Sequence, residues 1–173
     1  MLVLRPWQAE CRNKALAWFQ NGNKTFLMNV APGGGKTKAS CVIAKDLLES
    51  GEIDCVVAIA PRRSVVHQWA DDFQAICGRT MLQITGNDQD LQAYPGVDFA
   101  ITWSALGDAS SAFYQICQNK RVLALCDEHH HAGRDAAWGD GADNAFADAK
   151  YTLVLTGTPI RSDGSESVWM AYD

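Results

Sequence analysis

Two short runs, "CVVAIA" at 55–60 and "RVLALC" at 121–126, constrain this chain more than anything else in it. Neither alternates apolar with polar residues. A strand with one face in water shows that alternation, whereas a strand covered on both faces reads as a nearly unbroken apolar run. Four more candidate strands are "TFLMNV" (25–30), "TMLQIT" (80–85), "DFAITW" (98–103) and "YTLVLT" (151–156). Between the strands lie helix-length stretches at 6–20, 36–50, 64–77, 104–118 and 141–149. In the third, Val65, Val66, Trp69, Phe73 and Ile76 recur at helical spacing, which marks a face packed on a core. Strand–helix alternation of this kind predicts an α/β fold of three layers, a mostly parallel sheet with helices on both faces. In such sheets ligands bind beyond the carboxyl ends of the strands, so chemistry is to be sought in the residues that follow each strand.

The bulk features admit this fold and exclude others. A chain of 173 residues, 47% hydrophobic and 20% charged, has the size and balance of one soluble globular domain with its own core. Its apolar runs are far shorter than the roughly 20 residues of a membrane span. The start, "MLVLRPWQAE", lacks the charged head and long apolar segment of a signal peptide, so no membrane partner is expected. A formal charge of −5 supplies no general basic field to attract nucleic acid. Contacts to a nucleic-acid backbone would then fall to amides, hydroxyls and a few arginines. The six cysteines are scattered without a CxxC, and four sit in or beside apolar runs, as buried free thiols of a reducing cytoplasm do. No internal repeat, low-complexity tract or linker interrupts the chain.

The first strand leads into "VAPGGGKTKAS", residues 30–40. Gly33, Gly34 and Gly35 allow a tight turn whose N–H groups aim inward with no side chain in the way of a phosphate. Lys36 follows as a point charge for β- and γ-phosphates, and Thr37 offers a hydroxyl to Mg²⁺. The helix that begins there adds its positive end. The P-loop pattern has Gly where this chain has Val30, a departure away from the glycines nearest the phosphates. A flexible glycine turn before a lysine-bearing helix is the competing reading, and the strand before it and helix after it oppose that.

A second strand, "RVLALC", ends in Asp127 and Glu128, followed by His129, His130 and His131. In a domain with a phosphate cradle, a carboxylate at a strand's carboxyl end reads as a holder of Mg²⁺. The next carboxylate can orient or deprotonate an attacking water. Structural zinc needs paired Cys or His ligands, whereas Cys126 and the three histidines are nearly contiguous and His67 is alone on a helix. A magnesium–triphosphate site prefers hard oxygen ligands and does not need the histidines as ligands. A solvated histidine run stays open as the plain alternative.

Further signatures stand in order along the chain: "LRPWQ" (4–8), "VAPGGGKT" (30–37), "APRRSVVHQW" (60–69), "ITWSAL" (101–106), "DEHH" (127–130) and "TGTP" (156–159). Together they resemble the first RecA-like, ATP-binding domain of a superfamily II helicase or translocase of the DExH/DEAD-like kind, in its restriction- and repair-type subgroup. The resemblance covers nearly the whole chain and implies a single domain over 1–173. It implies that Gln8 reads adenine through its amide, with Arg5 supporting the same pocket. His130 stands in the place of the DExH histidine and would couple nucleotide state to Thr156 and Thr158. Arg62, Arg63 and Ser64 would hold a strand phosphate, and Thr102 and Trp103 would touch backbone or bases. Plainer roles compete at each: a polar helix face for Gln8, turn capping for the threonines, a solvated turn for the arginines, an inward core position for Trp103.

The resemblance also implies ATP and Mg²⁺ as cofactors and a nucleic-acid partner. The forms taken by "TGTP" and "PRRSVVHQW" favour DNA over RNA. Such motors continue into a second RecA-like domain in cis that carries an arginine finger. The chain by itself is then expected to be monomeric, to bind ATP weakly and to hydrolyse it little. Two other classes stay in view, an ATP-binding regulatory or assembly module without motor activity and, more remotely, a P-loop kinase or other small NTPase.

Overall fold

The computed structural model describes residues 4–29, 35–85, 98–127 and 145–156. Helix α1 (Pro6–Gln20) leads into β1 (Thr25–Asn29), α2 (Lys36–Glu49), β2 (Cys55–Ala60) and α3 (Arg63–Cys77). Then come β3 (Met81–Ile84), β4 (Asp98–Thr102), α4 (Trp103–Asn119), β5 (Val122–Asp127) and β6 (Tyr151–Thr156). The expected elements are present with ends shifted by a residue or so. The expected helix at 141–149 falls partly outside the described residues, within which Ala145 and Phe146 are helical.

Local chemistry sets the helix ends. Pro6 opens α1, where a missing N–H is harmless and the fixed φ suits a helix. The Thr102 hydroxyl accepts from Ala105 N at 3.2 Å and caps α4. Gly78, in the left-handed region at φ +71°, ends α3. The face of α3 read from its periodicity is the inward one: Val66, Trp69 and Phe73 are buried, and Val65 and Ile76 pack half-buried beside them. His67 stands exposed on the opposite side against the Gln83 side chain.

All six strands pair in parallel in the order β1-β6-β5-β2-β4-β3. Successive residues of a strand point to opposite faces, and β2 and β5 bury every residue on both. Val56, Ala58, Ala60, Leu123 and Leu125 join the core made with α1, α2 and α3. Cys55, Val57, Ile59, Val122, Ala124 and Cys126 join the core made with α4 and the segment Ala145–Ala149. The three-layer α/β fold expected from the apolar runs is therefore the observed one. All six cysteines are free, and burial pushes the thiols of Cys55, Cys77 and Cys117 up to about 12. Among the described residues, no helix is long and apolar enough to cross a membrane.

Candidate functional site

Three strand ends meet at one edge of the sheet. β6, last in the chain, lies between β1 and β5. Asn29 is in register with Thr156, and Asp127 with Leu155, so the exits of β1, β6 and β5 are neighbours. Motifs that are far apart in sequence thereby share one edge. Gly33, Gly34, Glu128, His130 and Thr158 lie outside the described residues, as does the Thr156 side chain. Gln8, Gly35, Lys36, Thr37 and Asp127 are described and define the flanks of the site.

Gly35 sits at φ +89°, in the region that side-chain-bearing residues avoid, and hands the chain into α2. A Cβ there would also stand 2.7 Å from Gln8 Nε2. The close approach has a cause: Gln8 Nε2 donates to Gly35 O at 3.0 Å, while Gln8 Oε1 accepts from Arg5 N at 2.8 Å. Gln8 is buried, and its amide ties the start of α1 to the start of α2. One donor and one acceptor position of that amide are thus engaged within the protein. The Arg5 side chain is exposed beside it.

Lys36 and Thr37 form the first turn of α2, and Thr37 is buried. Lys36 Nζ lies 2.9 Å from Asp127 Oδ1, with the two side chains 12% and 2% exposed. Had these residues fallen on opposite sides of the sheet, no single nucleotide could engage both. The other carboxylate oxygen, Oδ2, accepts from Trp69 Nε1 at 2.9 Å. The carbonyl of Asp127 accepts from Trp103 Nε1, also at 2.9 Å. Oδ1 is buried and, apart from its ion pair with Lys36, has no hydrogen-bond donor among the described residues. Cys126, one residue earlier, points into the opposite core, where burial raises its thiol far above the usual range.

This donor set suits a nucleotide-borne magnesium ion. Mg²⁺ carried by phosphates takes one or two protein oxygens and keeps waters on its other positions. The Asp127 carboxylate oxygen that faces Lys36 and the hydroxyl of the buried Thr37 are hard ligands of that kind.

The remaining expected residues divide. Arg62, Arg63 and Ser64 are exposed at the start of α3, just past β2, which is the neighbour of β5. The Arg62 side chain makes no capping hydrogen bond at this helix start. Thr102 and Trp103 require a correction. Trp103 is fully buried and Thr102 nearly so, and the threonine hydroxyl is engaged in capping α4. For Trp103 the inward core position, the plainer role weighed for it, is the one observed, and its buried indole has no face exposed for a base. Trp69 escapes a reading of the sequence as a site residue because its helical spacing marks core packing. The usable signal is that a buried indole N–H needs an acceptor.

Residues 1–161 match the family described as type III restriction enzyme, res subunit. An uncharacterized protein of Mycobacterium tuberculosis strain H37Rv is 31% identical over 171 residues, covering 98% of this chain and 27% of the relative. The chain thus spans about a quarter of the length of such relatives. Among solved structures, the Sulfolobus solfataricus SWI2/SNF2 ATPase core in complex with double-stranded DNA superimposes with a TM-score of 0.74 at 17% identity. That match covers 95% of this chain and 34% of the other. A nuclease-deletion mutant of the type ISP restriction-modification enzyme LlaGI, in complex with a DNA substrate mimic, gives 0.71 at 17% identity, over 94% and 18%. At these identities the likeness speaks to the fold.

Proposed function

The chain belongs to the family of type III restriction enzyme res subunits, and on that premise we propose that it is the first RecA-like motor domain of an ATP-driven helicase or translocase acting on DNA in preference to RNA. The observation that carries this reading is the buried Lys36–Asp127 pair, 2.9 Å apart at the carboxyl edge of the sheet, with Oδ1 of Asp127 otherwise without a hydrogen bond among the described residues. Support for DNA comes from the form of the motifs and from the DNA held by the two structural neighbours.

In this reading the N–H groups of Gly33, Gly34 and Gly35 bind the phosphates, and Lys36 neutralises charge on the β- and γ-phosphates. Thr37 and Asp127 would hold Mg²⁺, which neutralises phosphate charge when bound. Glu128 orients the attacking water and takes its proton. Gln8 reads adenine through its amide, with Arg5 at the same pocket. His130, Thr156 and Thr158 relay nucleotide state to the strand grip. Arg62, Arg63 and Ser64 bind a strand phosphate at the exposed start of α3. A second RecA-like domain in cis completes the site with an arginine finger, a contribution of about 10³- to 10⁵-fold in related phosphoryl-transfer sites. The domain alone then binds nucleotide weakly and turns it over little.

The test is ATP turnover by the full-length protein with single-stranded DNA, duplex DNA or RNA. Stimulation by DNA above RNA, lost in Lys36→Ala and in Glu128→Gln, is the expected result. Unaffected turnover in both variants would end this reading. Salt-insensitive binding to a protein partner, with no salt-dependent binding to oligonucleotides, would point to an assembly module instead.

A further inference from the structure

Asp127 is held at both of its ends by indoles. Trp69, on α3 in one core, donates to the side-chain oxygen Oδ2 at 2.9 Å. Trp103, at the start of α4 in the other core, donates to the backbone carbonyl at 2.9 Å. Both tryptophans are fully buried. Packing alone does not require this convergence, since an apolar ring of the same size would fill either space.

The side-chain bond matters because of what the chain leaves undecided. The χ2 torsion of an aspartate is broad and roughly two-fold, so a backbone position fixes where the carboxylate is and not how it is turned. An indole offers one donor and no acceptor. Engaging Oδ2 from the core side, it sets that torsion and leaves Oδ1 turned to the Lys36 ammonium at 2.9 Å, with no further hydrogen bond among the described residues. We infer that Trp69 is a positioning residue: its indole N–H holds Oδ2 of Asp127 so that Oδ1 is presented to a divalent cation beside the Lys36 ammonium. The inference deepens the nucleotide site proposed above and rests on it.

The experiment uses the full-length protein and a fluorescent ADP analogue at fixed concentration, with Mg²⁺ titrated in and a parallel measurement in EDTA. Trp69→Phe removes the donor and keeps an aromatic ring. If that variant does not fold, benzothienylalanine at position 69 keeps the ring shape and replaces the N–H by sulfur. Partners that orient metal ligands change metal affinity by about 10- to 100-fold when lost. The half-saturating Mg²⁺ concentration is therefore expected to rise about 10- to 100-fold in either variant, with binding in EDTA equal to wild type. An unchanged half-saturation, or an equal loss in EDTA, overturns the role given to Trp69. If Mg²⁺ adds nothing to nucleotide binding by the wild type, the proposed site itself fails, which is a different outcome from a responsive wild type with an indifferent variant.

Discussion

Asp98 and Asp127 are both 1% exposed, the first opening β4 and the second closing β5. Each faces a cation, Arg79 in one case and Lys36 in the other. Their surroundings differ in completeness. Asp98 Oδ1 accepts from Val56 N at 2.8 Å and Oδ2 from Arg79 Nε at 2.8 Å, while Arg79 Nη2 also donates to Asp54 O at 3.2 Å. Asp54 in turn accepts from Arg121 N, Nε and Nη2. Both carboxylates at that amino-terminal edge have each oxygen engaged. At the carboxyl-terminal edge, Asp127 Oδ1 faces the Lys36 ammonium at 2.9 Å and has no further hydrogen bond among the described residues. A buried carboxylate that serves only the fold is closed by its neighbours. One placed to serve a ligand keeps an oxygen whose described partner is a single lysine ammonium.

The largest effect expected from this contrast is on turnover. Lys36→Ala and Glu128→Gln should each lower nucleic-acid-stimulated ATP hydrolysis by about 10²- to 10⁴-fold. Thermal melts of Glu128→Gln should be little changed, whereas Lys36→Ala leaves the buried Asp127 carboxylate without its cation and loses stability as well, so its turnover is compared per folded molecule. Asp98→Ala should do the reverse. It strands the Val56 N–H and the half-exposed Arg79 and costs about 2–4 kcal/mol in urea unfolding, with turnover falling only as the folded fraction falls. A well-folded Asp98→Ala protein without turnover would erase the distinction between the two aspartates.

Gly35→Ala comes next, at about 1–3 kcal/mol, because it combines a left-handed φ with the 2.7 Å approach to Gln8. Adding Gln8→Ala should return the steric part and not the backbone part. A double-mutant cycle read by urea unfolding separates them. Full recovery would mean that φ at Gly35 is no constraint.

The smallest effect lies in acid. Hydrogen bonds from Arg121 lower the Asp54 carboxyl to about 2, against 3.8 in the unfolded chain. Folding then releases a proton, so this stabilisation is complete above pH 3.8 and is lost as pH falls through about 2. The pair is exposed, so Asp54→Asn should flatten that limb of the stability–pH curve only slightly. Asp98 has the opposite sign. Burial raises its carboxyl above 3.8, so its cost is present above the folded value and is relieved as pH falls through it. A stability curve for Asp98→Asn that loses this relief supports the assignment.

The apolar runs revealed the sheet because a strand buried on both faces has nowhere to place polar residues, as in "CVVAIA". The pairing of Lys36 with Asp127 was readable from strand ends alone, since parallel strands bring their carboxyl ends to one edge. The position of β6 between β1 and β5 was not, because crossovers leave no mark on local periodicity. Trp69 shows the same limit. Its spacing reports that it faces the core and cannot report an acceptor 58 positions away. For Trp103 the family likeness suggested a surface role, yet the start of α4 turns the ring inward.

The most direct test of a shared nucleotide and metal site is calorimetric titration of the full-length protein with ATP, with and without Mg²⁺, for wild type, Lys36→Ala and Asp127→Asn. Mg²⁺ should tighten wild-type binding, Asp127→Asn should lose that gain while still binding ATP in EDTA, and Lys36→Ala should lose both. An Asp127→Asn protein that binds ATP with the wild-type Mg²⁺ response would show that this carboxylate holds no metal, and the site as built here would be wrong.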